Sequence, residues 1–144
     1  MVSPRCLSYH FNTPIATGKS ILNNTEVLSI ADFTAHNPMR PRNPGTGQGS
    51  AQQLQAWIAG TPSSSGTAVV LLANYGPDEG QSGFNSTLQG VQNVTVSWSD
   101  LGISGTFGVR DVWKGQDLGP ESSGLNASLD EGESWLVLLT KTTT

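Results

Sequence analysis

The sequence predicts an all-β fold, an antiparallel sandwich, over most of its length, and three observations predict it. Small hydroxyl residues, 17 Ser and 14 Thr, outnumber the 7 Lys+Arg and 11 Asp+Glu combined. With 17 Gly and 8 Pro, that mix suits short strands joined by turns rather than long helices. From about Gln52 onward, apolar residues either alternate with polar ones or form short continuous runs, and turn residues separate them. A length of 144 residues fits about one domain. Charged residues are only 12%, against roughly 25% in an average soluble domain.

The N-terminal part differs. Leu7-Ser8-Tyr9 reads as a short strand, and Thr13-Pro14 as a helix start, because Pro is favoured at the first helical position. Asn24 or Thr25 can cap a second short helix running through Glu26, Val27, Leu28 and Ile30. Residues 34–50 hold three Pro and three Gly and read as a linker, with Arg40 and Arg42 as solvated loop charges.

The strands follow in order. Leu54, Ala56 and Ile58 share one face. Ala68–Asn74 is a continuous apolar run, expected for a strand covered on both faces. Gly76-Pro77-Asp78-Glu79-Gly80 turns the chain. Val94, Val96 and Trp98 alternate with Thr95 and Ser97, and Ser99–Gly102 turns. Phe107–Trp113 is a strand ending at Lys114-Gly115, with Asp117 in a Gly-flanked turn. Leu125, Ala127 and Leu129 alternate, Asp130-Glu131-Gly132 turns, and Trp135–Thr140 closes the set.

The same residues exclude several functions. A net charge of −4 with no basic run gives no electrostatic footprint for nucleic acid. No apolar stretch of about 18 residues spans a membrane. The lone Cys6 makes neither an internal disulfide nor a thiolate cluster, and His10 and His36 make no metal site. No phosphate loop or Ser-centred nucleophile elbow occurs, so no cofactor is expected. Four N-x-[ST] sequons make Asn23, Asn85, Asn93 and Asn126 candidate N-glycosylation sites and point to secretion. No signal-peptide run follows Met1, so the true N-terminus is expected further upstream.

Carboxylates are the candidate catalytic groups, since glycoside hydrolysis needs two at a fixed separation. Asp100, Asp111, Asp117, Asp130 and Glu131 are available, and each has a structural reading as a turn or strand residue. Trp57, Trp98, Trp113 and Trp135 could stack on sugar rings, but all four are read as strand residues packed in the core.

Three segments carry a resemblance. Val94-Thr95-Val96-Ser97-Trp98-Ser99-Asp100-Leu101-Gly102-Ile103, Val109-Arg110-Asp111-Val112-Trp113 and Asp117-Leu118-Gly119 resemble the C-terminal domain of family 27 glycoside hydrolases, the α-galactosidases, especially the fungal type. Leu22–Ile30 is similar to the helix that ends their catalytic barrel. Gln55-Ala56-Trp57 and Val69–Asn74 resemble the first strands of their tail domain. Ile30-Ala31-Asp32-Phe33 departs from the family's Ile-Asn-Gln-Asp, as a short deletion or a misread exon boundary would leave it.

The resemblance implies residues 1–33 as a remnant of the last unit of a (β/α)8 barrel, 34–50 as linker and 51–144 as the sandwich. It implies a secreted parent enzyme acting on galactose-containing oligosaccharides or polysaccharides. A barrel takes roughly 250 residues and draws its catalytic groups from several strands. No catalytic residue therefore carries over, and the chain alone is expected to be inactive. Ile15, Ile21, Leu22, Val27 and Leu28 would lack the other barrel units, so residues 1–31 are expected to be poorly ordered. Two other readings stand beside this one. A sugar-binding module would show one or two coplanar, exposed aromatics on a sheet face, and a purely structural sandwich would show an apolar patch where the barrel docks.

Overall fold

The computed structural model describes residues 24–42, 53–60, 66–77 and 88–143. The expectations at Leu7–Tyr9 and Thr13-Pro14, and those for Cys6, His10, Asn23 and Asn85, lie outside the described residues.

Helix α1 spans Thr25–His36. Asn24 caps it as expected: its Oδ1 accepts from the amides of Glu26 at 3.0 Å and Val27 at 3.3 Å. Glu26 in the first turn and His36 in the last complement the helix dipole. The helix runs three residues past Phe33, into the 34–50 stretch expected to be linker, and ends as Asn37 donates to the Phe33 carbonyl from both its amide and its side chain.

The strands are β1 (Arg40–Pro41), β2 (Leu54–Ala59), β3 (Thr67–Asn74), β4 (Gln92–Ser97), β5 (Phe107–Asp111), β6 (Gln116–Glu121), β7 (Gly124–Leu129) and β8 (Ser134–Lys141). A six-stranded sheet runs β1-β2-β3-β8-β5-β6, and β4-β7 forms a second sheet. Every pairing is antiparallel, which agrees with the sandwich expected from the strand pattern. The core lies between the sheets, where Ala56, Ile58, Val70, Leu72, Val137 and Leu139 meet Val94, Val96, Leu125 and Leu129.

Two elements depart from the alternation. Trp98 does not continue β4; it opens a short helix, α2 (Trp98–Leu101). A reciprocal pair of bonds, Ser97 Oγ with the Asp100 amide and Asp100 Oδ2 with the Ser97 amide, both 3.0 Å, halts the strand there. Gly102 closes α2 at φ 73°, a left-handed conformation that disfavours side chains. Trp98 then points into the core and meets Phe107 edge-to-face at 5.4 Å. Second, Gln116–Glu121 is a strand rather than a turn, although its residues are nearly all exposed. It forms because β5 pairs with it, with a bulge that leaves Leu118 unpartnered between Asp117 and Gly119.

The large sheet buries both faces, as the continuous run in β3 predicts. On its outer face Ala59, Val69, Val112 and Leu136 pack with Ile30, Val27 and Phe33 of α1. Of the apolar residues expected to lack barrel partners, Val27 packs on the sheet with Ile30 and Phe33 of the same helix, Leu28 is exposed, and Ile15, Ile21 and Leu22 lie outside the described residues. Gly60 makes that approach possible, since a Cβ there would stand 2.7 Å from Phe33 Cζ.

Candidate functional site

The three motif segments form a structural framework. In the first, Val94 and Val96 are core residues, Ser97 and Asp100 form the capping pair, and Trp98 and Leu101 are buried. In the second, Val109 faces the core and Val112 faces α1. Between them, Asp111 is 2% exposed and has two tasks. Its Oδ2 accepts from the Trp135 indole at 2.9 Å and its Oδ1 from the Lys114 amide at 2.9 Å. Arg110 points the other way, as neighbours in a strand must.

Arg110 is the electrostatic centre of the outer face. Its Nε and Nη2 donate to the two carboxylate oxygens of Glu26, at 3.0 and 2.6 Å, and its Nη1 donates to Asp117 at 3.0 Å. The β5–β6 bulge sets Asp117 directly across from it. The hydrogen bond from Arg110 holds the Glu26 carboxyl below its ordinary 4.5, and the bonds to Glu26, then Asp117, push the guanidinium above its usual range. Beside this pair, a groove of about 520 Å³ between α1 and the sheet is lined mainly by Ile30, Phe33, Val69 and Leu138.

This arrangement suits a brace better than a catalyst. A glycosidase needs one carboxyl that stays protonated to act as acid. Glu26 and Asp117 are both ion-paired, and Glu26 is shifted in the opposite direction. The remaining candidates are engaged in turns. Asp130 Oδ1 accepts from the Glu131 amide at 2.8 Å, and Glu131 Oε1 accepts from the Gly90 amide at 2.6 Å. Among the described residues, no three His, Cys, Asp or Glu side chains cluster to hold a metal, and no helix is long and apolar enough to cross a membrane.

The tryptophans are spread over different environments, and only two are strand residues. Trp57 lies in β2, half-buried, its indole donating to Gln55 Oε1 at 3.1 Å. Trp135 lies in β8 against Asp111. Trp98 is in α2, and Trp113 is 38% exposed in the β5–β6 turn. No two of them form an exposed coplanar platform on a sheet face.

The sequence reading missed the Arg110–Glu26 pair, whose partners stand 84 positions apart. The signal available was parity. Phe107, Val109 and Asp111 share the core face, so Arg110 must lie on the opposite, apolar face, where a charge requires a partner. A buried polar knot was also missed. The Asn74 side chain, 1% exposed, accepts from Gln53 Nε2 and the Gly76 amide and donates to the Leu129 and Gly90 carbonyls. Of the sequon asparagines, Asn93 and Asn126 are exposed on the small sheet.

The family model of the alpha galactosidase C-terminal beta sandwich domain matches residues 51–139. Alpha-galactosidase 3 of Hypocrea jecorina is 48% identical over 128 residues, 88% of this chain and 20% of that protein. The chain therefore spans about a fifth of the length of that curated relative. Among solved structures, alpha-galactosidase I from Mortierella vinacea superposes with a TM-score of 0.68 at 20% identity, over 92% of this chain and 30% of that one. A family 27 β-L-arabinopyranosidase from Geobacillus stearothermophilus gives a TM-score of 0.62 at 24% identity, over 86% of this chain and 24% of that one. At these identities the structural matches carry the fold.

Proposed function

The chain belongs to the family of the alpha galactosidase C-terminal β-sandwich domain, and from that premise we propose that it is the non-catalytic sandwich portion of an enzyme that removes terminal α-linked galactose from oligosaccharides or polysaccharides. The observation that carries this reading is the use made of the motif residues. Asp100 caps a helix, Asp111 anchors an indole, and Asp117 and Glu26 hold an arginine. These four acidic groups serve the framework rather than a hydrolytic pair.

In this proposal residues 1–33 belong to the last strand–helix unit of the barrel, 34–50 connect it to the sandwich, and 51–144 form the sandwich. Helix α1 is the joint: it continues from the barrel side and docks on the large sheet. The parent enzyme is exported, in keeping with the low charge and the four sequons. Against the sugar-binding alternative, Trp113 is the one exposed tryptophan and it lies in the β5–β6 turn rather than on a sheet face.

Two measurements test the reading. The purified chain should not hydrolyse an α-galactoside above a no-protein control, and turnover would overturn the non-catalytic assignment. Grafting the chain in place of the matching segment of the Hypocrea relative should preserve that enzyme's hydrolysis. A folded but inactive graft would refute the structural role.

A further inference from the structure

We propose that the outward face of the β4–β7 sheet is a modification site, with Asn93 and Asn126 both carrying N-linked glycans. The argument begins with the period of a strand. In Asn93-Val94-Thr95 and Asn126-Ala127-Ser128, alternation sends the Asn and the hydroxyl residue to one face and the middle residue to the other. Val94 is fully buried and Ala127 packs against the same core, so both acceptor–hydroxyl pairs face solvent. Asn93, Thr95, Asn126 and Ser128 are all exposed.

The two sequons also interlock. β4 and β7 pair Asn93 with Ser128 and Thr95 with Asn126. Ser128 Oγ donates to Asn93 Oδ1 at 2.7 Å, and Thr95 Oγ1 donates to Asn126 Oδ1 at 3.1 Å. Each hydroxyl therefore holds the carbonyl oxygen of the other sequon's asparagine, and among the described residues neither Nδ2 donates a hydrogen bond.

A glycan on either Nδ2 is compatible with the folded sheet. In the transfer, Nδ2 bonds to the sugar C1 of a lipid-linked oligosaccharide as the C1–O bond to the lipid pyrophosphate breaks, and one of its two protons departs with that pyrophosphate. The amide carbonyl is unchanged, so both cross-strand bonds survive. The two asparagines are diagonal neighbours, about 7–8 Å apart between Cα atoms, close enough for their glycans to cover one continuous patch. No outward position of either strand carries a large apolar side chain, so the face gives up no docking surface when it is covered.

The inference rests on the export reading only through the route that glycosylation requires, and the test supplies that route. With an export leader in a yeast host, the secreted chain is treated with peptide N-glycosidase in heavy-oxygen water and sequenced by mass spectrometry. Both Asn93 and Asn126 should appear as heavy-labelled Asp. An unlabelled asparagine at either position in folded, secreted protein would overturn the proposal. Thr95→Val should abolish the label at Asn93 alone and Ser128→Ala the label at Asn126 alone, with Thr95→Ser restoring the former. Translation into microsomes gives a reading that does not depend on secretion, where Asn93→Gln and Asn126→Gln should each remove one glycan step. A missing label counts against this face and leaves the α-galactosidase reading to the graft.

Discussion

Replacing Ile30 with Ala tests whether α1 is part of the folded unit. Ile30 is 8% exposed and packs among Ala59, Val69, Val112 and Leu136. The substitution removes three carbon groups, each worth about 0.8 kcal/mol when buried, or about 2.4 kcal/mol in all. Ala is the better helix former by roughly 0.4 kcal/mol, which offsets part of that loss. A residual cavity beneath the helix adds a further term. The expected cost is therefore about 2 kcal/mol, near the lower end for buried Ile-to-Ala changes. Leu28, on the same helix but 49% exposed, is the control, and Leu28→Ala should stay within about 0.5 kcal/mol. Urea unfolding followed by tryptophan fluorescence measures both variants, and hydrogen exchange reads the α1 amides separately. A twelve-residue helix is marginal in isolation, so protection of α1 requires docking. An Ile30→Ala variant as stable as the parent, with α1 amides exchanging like a free peptide, would refute the reasoning.

Three other outcomes follow from the same contacts. Asn74→Ala leaves Gln53 and the carbonyls of Leu129 and Gly90 without their partner, at about 1–3 kcal/mol for each buried group left unsatisfied, so its urea midpoint should fall further than that of Ile30→Ala. Gly124→Ala should break the β4–β7 pairing, because its Cβ would run into the Val96 carbonyl; loss of hydrogen-exchange protection in both strands checks this, and unchanged protection would sink it. Glu26 has its folded pKa below 4.5, so its contribution to docking is complete above that value and fades as pH falls through the folded pKa. Protection factors of the α1 amides, which take out the intrinsic pH dependence of exchange, should therefore fall in acid, more strongly at low salt, and Glu26→Gln should flatten that fall.

Much of this architecture is legible in the sequence wherever burial imposes a period. Val94 and Val96 mark β4 because only one of its faces is covered. The unbroken run from Ala68 marks β3 because both faces are. Asn24 marks a helix start because its side chain is short and accepts hydrogen bonds. The rest depends on partners distant in the chain. Gln116–Glu121 has no apolar pattern, and only β5 makes it a strand. Arg40–Pro41 lies in a stretch that reads as linker and becomes a strand by pairing with Trp57 and Ile58. Trp98 follows the alternation of β4, yet the Ser97–Asp100 bonds turn it into a helix start. The brace at Arg110 follows the same rule: its parity is local, while Glu26 is contributed from far upstream.

The order of the large sheet has a consequence for synthesis. β8, the last strand in sequence, lies between β3 and β5, in the interior of the sheet. Until residues 134–141 have left the ribosome, β3 and β5 have no strand between them, and Leu72 and Val109 have no Trp135 or Leu139 opposite. The domain therefore cannot be completed progressively as it emerges; its central pairings are all long-range and form late. A chain halted before Trp135 would lack the middle of the sheet rather than one edge, and would expose the apolar edge of β3 to chaperones and to other nascent chains.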